Sequence, residues 1–243
     1  MTIERTESGH TDPDHLDSDS SDTHDDPSTP SRTRVQSMFV SLDGFAAGTY
    51  VTLEDPFGEA IALTHGYDGS AIHGIDKSEG MLTLDLAMTS LWQQGIGVEI
   101  MGRRKFGPQS GPWTEDGWRG WWGEDPPFRT PVIVLTHYER DPISFDNGTV
   151  FHFLDASPGE ALDRARQLAP GTDVRIGGGP TTVREFLAAD LIDTMHLVVQ
   201  PVTLGTGTRL FDDGLAPAEN FSIETITSSS GRSHQLWNRT PRR

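Results

Sequence analysis

The chain has 243 residues, a formal net charge of −17 and no cysteine. That length suits one domain with a sizeable core plus a tail, and the lack of cysteine excludes a disulfide scaffold, thiolate-bound structural zinc and thiol catalysis. The acidic balance speaks against nucleic acid or an anionic membrane as partner. No apolar run reaches the ~18 residues of a membrane span, and the acidic N-terminus lacks the basic start and apolar stretch of a secretory signal, so the cytoplasm is the expected location.

Residues 1–33 are rich in Asp, Ser, Thr and Pro and nearly free of apolar residues. They are predicted to be a disordered acidic tail, because such a segment cannot bury enough surface to offset its ordering entropy. His10, His15 and His24 lie among its aspartates and read as solvated rather than metal-binding. Residues 34–243 form the predicted domain. Residues 35–42 have the β-branched and apolar content of a strand, ended by the turn signal Asp43-Gly44. Residues 48–80 lack periodicity and read as a long functional loop with room for one short helix. Glu54 and Asp55 are expected in solvent there, and His65 and His73 lack ligand-like spacing, so no metal is assigned.

Residues 81–94 have a helix-like apolar face stopped by Gly95, with Asp85 expected on the solvated side. Residues 98–101 are a short strand, and Gly102-Arg103-Arg104 is a strand-to-helix turn. Residues 107–131 carry Trp113, Trp118, Trp121 and Trp122 among glycines and prolines, as a second long loop would. Strands follow at 131–135 and 149–153. Ser157 and Glu160 make a capping box for a helix reaching Leu168. A strand at 174–176 feeds Gly177-Gly178-Gly179-Pro180, then a helix over 181–189 and a strand over 194–200. Segments near 208–211, 221–227 and 232–238 finish as strands. Strand and helix alternate before a closing run of strands, which predicts an α/β fold: a mostly parallel sheet with antiparallel edge strands and flanking helices.

Two turns carry the chemistry. At Gly177–Thr182 a buried strand enters a glycine run that opens a helix. Glycine permits close backbone approach, and the free N–H groups and dipole of the new helix favour a phosphate, with Thr181 and Thr182 adding hydroxyls. The pattern is not G-x-G-x-x-G, and a tight turn without ligand explains it too. Gly102-Arg103-Arg104-Lys105 repeats the strand–glycine–helix arrangement with three cations at a helix start, where acids are normally preferred. They suit an anionic ligand such as a 2′-phosphate, or a solvated basic turn. Thr136-His137 is either a third contact or an ordinary strand end. Asp43 either orients substrate or relays a proton, or is simply the Asp of an Asp-Gly turn. Ser41, His152 and Asp155 make no nucleophile triad. The tryptophans either cover a flat ligand or pack a surface loop.

Taken in order, Ser41-Leu42-Asp43-Gly44-Phe45-Ala46, Ile100-Met101-Gly102-Arg103-Arg104, Val134-Leu135-Thr136, Ile176-Gly177-Gly178-Gly179 and Pro201-Val202-Thr203-Leu204-Gly205-Thr206-Gly207 resemble the dihydrofolate-reductase-like superfamily. Within it they are most similar to the reductase domain of bifunctional riboflavin-biosynthesis deaminase-reductases and its stand-alone relatives. The resemblance implies a three-layer fold with NADPH across the carboxyl ends of the sheet. It gives the pyrophosphate to Gly177, Gly178, Gly179, Pro180, Thr181 and Thr182. The adenosine side goes to Gly102, Arg103, Arg104 and Lys105, with Thr136 and His137 nearby. Phe39 and Ala46 would lie beside the nicotinamide, and Leu204, Gly205, Thr206 and Gly207 would border the substrate. Dihydrofolate reductases carry an acid on the helix after the first strand; Asp85 is the candidate for it here. The implied activity is hydride transfer to a C=N or C=O group of a small heterocycle, pterin or ribosylaminopyrimidine in type, by a homodimer. A nucleotide-binding regulatory module without turnover and a flavin-dependent oxidoreductase are the alternatives. The expanded stretch 48–80, the tryptophan-rich loop and the lack of a deaminase domain depart from the family pattern.

Overall fold

The alternating segments assemble into a nine-stranded sheet in a computed structural model that describes residues 31–64, 84–114, 117–212 and 217–241. The strands are β1 (Thr33–Ser41), β3 (Ile96–Gly102), β4 (Pro131–Leu135), β5 (Ile143–Ser144), β6 (Val150–Leu154), β7 (Asp173–Gly178), β8 (Thr194–Gln200), β10 (Phe221–Thr227) and β11 (Ser233–Arg239), while β2 (Phe45–Ala47) and β9 (Thr208–Arg209) make a separate small sheet. Their order is β10-β11-β8-β1-β7-β3-β4-β6-β5. From β8 to β6 every neighbouring pair is parallel; β11 runs antiparallel to β8, β10 to β11, and β5 to β6. The expected antiparallel edges are therefore present. The helices are α1 (Leu84–Ser90), α2 (Arg103–Phe106), α3 (Pro158–Leu168) and α4 (Pro180–Ala188).

Boundaries moved where tertiary contacts outweigh local pattern. Order starts before Val35, because the Arg32 amide donates to Asp173 and the Thr33 amide to Asp193. The helix expected over 81–94 is helical only over Leu84–Ser90 and continues as turns, and residues 81–83 lie outside the described region. So do most of the tail, His65, His73 and the rest of the stretch 65–83. The short helix allowed within 48–80 is a 3-10 helix, Gly58–Thr64. The capping box forms as expected: Ser157 Oγ accepts from the Glu160 amide, and Glu160 returns the bond to the Ser157 amide. The helix start read at Gly102-Arg103-Arg104 is α2, whereas β2, β5 and a 3-10 turn at Pro217–Asn220 carried no signal strong enough to be read alone.

Alternation along the strands divides the core into two layers. Val98, Ile100, Val174, Ile176, Met195 and Leu197 point to one face, where Ala161, Leu162 and Ala165 of α3 and Val183 and Phe186 of α4 cover them. Met101, Val132, Val134, Phe151 and Phe153 point to the other, against Phe106, Phe128 and Trp92. Trp113, Trp118 and Trp122 close that second layer, with Trp122 stacked on Phe151 at 5.9 Å. The tryptophan-rich loop is thus mainly the lid of a core.

One feature of the ladder positions the site. β1 and β7 pair only at Thr33↔Val174 and Arg34↔Arg175. A bulge then interrupts β1 between Val35 and Met38, with Ser37 at φ 54°, and β1 continues paired with β8 alone. The carboxyl halves of β1 and β7 are therefore not paired with each other, which leaves a cleft in the ladder in the middle of the sheet.

Candidate functional site

The parallel strands bring their carboxyl ends to one edge, so the loops after β1, β3, β4, β7 and β8 converge there. In open α/β sheets, ligands bind in crevices at this edge. Both glycine turns lie on it, at the ends of the adjacent strands β3 and β7. They also touch: a Cβ added to Gly102 would lie 2.5 Å from Thr182 Oγ1. Gly102 is glycine because Thr182, buried on α4, sits against it.

The three glycines after β7 have different reasons to be glycine. A Cβ on Gly177 would stand 2.0 Å from Glu99 Oε1 and 2.7 Å from Lys105 Nζ, so that position is closed by the protein itself. Gly178 has φ +105°, a region side chains avoid, and its peptide with Gly179 is cis. Gly179 has φ −67°, and a Cβ there would meet nothing within 4 Å. It is the N-cap of α4 and offers no side chain to the helix, whose first turn also contains Pro180. The first amides of α4 thus lack a side-chain cap, and the space in front of Gly179 is open.

Arg103 opens α2 at the end of β3. Its guanidinium lies 3.8 Å from the centre of the Trp113 ring, and one nitrogen donates to Thr136 Oγ1 at 3.4 Å. Its Nε and second terminal nitrogen are buried without a hydrogen-bond partner. Burial lowers its pKa, and Arg140, which faces the same indole at 4.9 Å, lowers it further. Unsatisfied buried donors on a cation are costly and point to an anionic partner. Thr136 is buried and bonded to the Tyr138 backbone as well.

The other expected contacts separate. Arg104 is exposed and makes no ion pair among the described residues. His137 turns into solvent, its side chain 90% exposed, and faces Asp155 at 3.0 Å. Lys105 turns inward, donating to Glu99 Oε1 and to the Gly177 carbonyl, both at 2.7 Å. The sequence placed it with the ligand; its ammonium is instead spent beneath the glycine turn. Phe39 and Ala46 are half-buried, with Ala46 packed on the main core.

Asp43 ties two loops together. Its carboxylate accepts from Ser41 Oγ at 2.6 Å, the Gly205 amide at 2.7 Å and the Leu204 amide at 3.1 Å. The Ser41 hydroxyl, then the Gly205 and Leu204 amides, hold it down at about 2. It is ionised at neutral pH, so the geometry gives it a clamping role in place of proton donation. The run Leu204–Gly207 packs on this clamp and on β2: a Cβ on Gly207 would lie 2.6 Å from the Ala47 carbonyl.

Asp85 is the clearest departure. The sequence placed it on the solvated face of its helix, yet it is only 5% exposed. Its Oδ2 accepts from Ser230 Oγ at 2.6 Å and from Arg232 at 2.9 Å, and its Oδ1 faces His234 Nε2 at 2.8 Å. Burial pushes the carboxyl up, but the bonds from Ser228, Ser230, His234 and Arg232 outweigh it and hold it at about 2. Partners more than 140 residues away decide this burial, so helical periodicity could not reveal it. From His234 the contacts continue to His196 at 3.0 Å and on to Ser37 and Gln36 at the β1 bulge. Sequence reading missed this buried line and the group Glu99, Lys105 and Arg175. A charged residue inside an otherwise apolar strand, Glu99 in 96–102, was the available signal. Among the described residues no cluster of three His, Asp or Glu could hold a metal ion, and no helix is long and apolar enough to cross a membrane.

Residues 34–232 match the family described as the RibD C-terminal domain, and the chain belongs to that family. A stretch of 114 residues is 28% identical to the uncharacterized protein YyaP of Bacillus subtilis (strain 168), covering 44% of this chain and 59% of that protein, so the match spans less than two thirds of the relative's length. Among solved structures, a pyrimidine reductase-like protein from Corynebacterium diphtheriae is similar with a TM-score of 0.50 at 14% identity, over 87% of this chain and 93% of that one. Acinetobacter baumannii RibD aligns with a TM-score of 0.47 at 18% identity, over 86% of this chain and 58% of that one. The fold is accordingly the three-layer α/β arrangement of the dihydrofolate-reductase-like superfamily.

Proposed function

We propose that this chain is an NADPH-dependent reductase that delivers a hydride to a C=N or C=O group of a small heterocyclic substrate. Membership of the RibD C-terminal domain family supports the coarser part, a reductase role. The observation that carries the cofactor is the pairing of two turns at one sheet edge: an uncapped helix start behind open space at Gly179, and a half-buried Arg103 with two buried, unpartnered guanidinium nitrogens. The first suits a pyrophosphate and the second a terminal phosphate. The break in the ladder between β1 and β7 lies beside both turns, on the side where the rest of a dinucleotide would extend.

In this reading Gly179, Thr181 and Thr182 hold the pyrophosphate, and Arg103, stacked on Trp113, holds the 2′-phosphate. Bound nicotinamide supplies the hydride chemistry. The protein orients and shields. Asp43 fixes the loop after β1 to the run Leu204–Gly205, keeping the substrate side of the cleft in one shape. Neither Asp43 nor Asp85 releases a proton near neutral pH, since each is held at about 2. The proton then comes from solvent or substrate.

Titration with NADPH, followed by its fluorescence, tests the reading. Saturable binding is expected, with weaker binding of NADH. A folded protein that binds neither at millimolar concentration would overturn it. Binding followed by no oxidation against pterins, ribosylaminopyrimidines and a wide panel of imines and carbonyls would instead favour a regulatory module.

A further inference from the structure

We propose that Glu99 is a positioning residue for the cleft: its carboxylate holds Lys105 and Arg175, and each of these cations pins a backbone carbonyl on one of the two parted walls. The proposal rests on the reading of that cleft as the cofactor seat.

Glu99 lies in the middle of β3 and is 1% exposed. Its Oε2 accepts from Arg175 at 2.6 Å and its Oε1 from Lys105 at 2.7 Å. Arg175 reaches on to the Gln36 carbonyl at 3.1 Å, and its guanidinium packs 4.5 Å from the Trp92 ring centre. Lys105 reaches the Gly177 carbonyl at 2.7 Å. Gln36 lies on β1 two residues past Arg34, where its pairing with β7 ends, and Gly177 stands on β7 at the mouth of the turn. Where two strands part, carbonyls lose their ladder partners and need others. Here two side-chain cations supply them, and a single carboxylate holds both cations.

This arrangement also orients the turn. The peptide between Gly177 and Gly178 is trans, so its carbonyl and its N–H point in opposite directions. With the carbonyl held inward by Lys105, the Gly178 N–H faces away from that buried group. The absence of a Cβ at Gly177 is what lets the carboxylate and ammonium lie directly beneath it. The group therefore acts on the pyrophosphate part of the site. Its hydrogen bonds are separate from those of the Arg103 side chain, which faces Trp113, Tyr138 and Thr136.

That separation gives the test. Lys105→Met removes the donor and leaves Glu99 paired with Arg175. Binding of NADPH and of adenosine 2′-monophosphate, which carries the 2′-phosphate but no pyrophosphate, is measured by calorimetry and ligand-observed NMR. The expected result is a tenfold or larger rise in the NADPH Kd, with the Kd of adenosine 2′-monophosphate within twofold of the unaltered chain. Glu99→Asp, which keeps the charge but draws it back by one methylene, should show the same split at smaller size. It is the variant read if Lys105→Met does not fold. Unchanged NADPH binding by a folded variant, or equal loss of both ligands, overturns the proposal. An unaltered chain that binds neither ligand defeats the cofactor reading itself and the proposal with it.

Discussion

At the scale of single residues, the positions proposed to face the cofactor are those for which the protein has no use of its own. Gly179 is the example: its φ is ordinary and nothing occupies the place of a Cβ. Gly179→Ala should weaken NADPH by tenfold or more while the unfolding midpoint stays within a degree or two, as fluorescence titration and thermal melts would read. Gly178→Val would be a less clean probe, because φ +105° makes it a backbone lesion as well, costing about 1–3 kcal/mol of stability. Arg103→Ala should raise the NADPH Kd about ten- to hundredfold, in line with hydrogen bonds to a charged group, and leave NADH within about threefold. Equal losses for both cofactors would show that Arg103 does not read the 2′-phosphate. Arg104→Ala and His137→Ala, both at exposed side chains, should change either Kd by less than about threefold.

At the scale of elements, α2 shows how a four-residue helix can organise a site. Its residues diverge at once: Arg103 goes to Trp113, Arg104 to solvent, Lys105 under the glycine turn and Phe106 into the second core layer. Phe106 is fully buried, edge-on to Phe151 and Phe153 at 5.1 Å and to Trp113 at 5.9 Å. Phe106→Ala should cost about 3–5 kcal/mol in urea unfolding and disturb Arg103 through the loosened Trp113. A loss below about 1 kcal/mol would mean that the tryptophan loop is not part of the cooperative core.

At the scale of the whole molecule, acid should unfold the protein in stages set by its buried line of polar groups. Burial, and then the neighbouring His234, lowers His196 to about 4, against 6.5 for a free histidine. Between these values the unfolded chain takes up the proton and the folded one does not. The contribution is therefore complete above pH 6.5 and is lost as pH falls towards 4, amounting to about 3 kcal/mol. Asp85, lowered from 3.8 to about 2, adds a second loss as pH falls from 3.8 towards 2. Urea midpoints measured from pH 8 to 3 should fall from about pH 6.5 downward, and His196→Gln should flatten the upper part of that fall. A flat profile between pH 7 and 4 would contradict the burial of this pair.

Periodicity and turn chemistry by themselves determined the order of strands and helices, the parallel centre with antiparallel edges, the capping box at Ser157 and the two glycine turns. The elements, the capping box and the turns depend on residues within a few positions of one another, where local propensity and hydrophobic alternation act, and the sheet's strand directions follow from the order of the elements. Only the tertiary structure decided which of the signalled residues are tied up by the protein's own groups. Lys105 and Asp85 carry the same charges as functional groups would, and no local rule tells them apart from such groups. Partners from distant strands, Gly177 above one and Arg232 with His234 beside the other, turned both inward. The cleft between β1 and β7 was equally invisible, since it exists because two strands far apart in the chain pair at their starts and then part. Charge placement follows from the neighbours that a buried group must have to stay charged, and those neighbours are chosen by the fold.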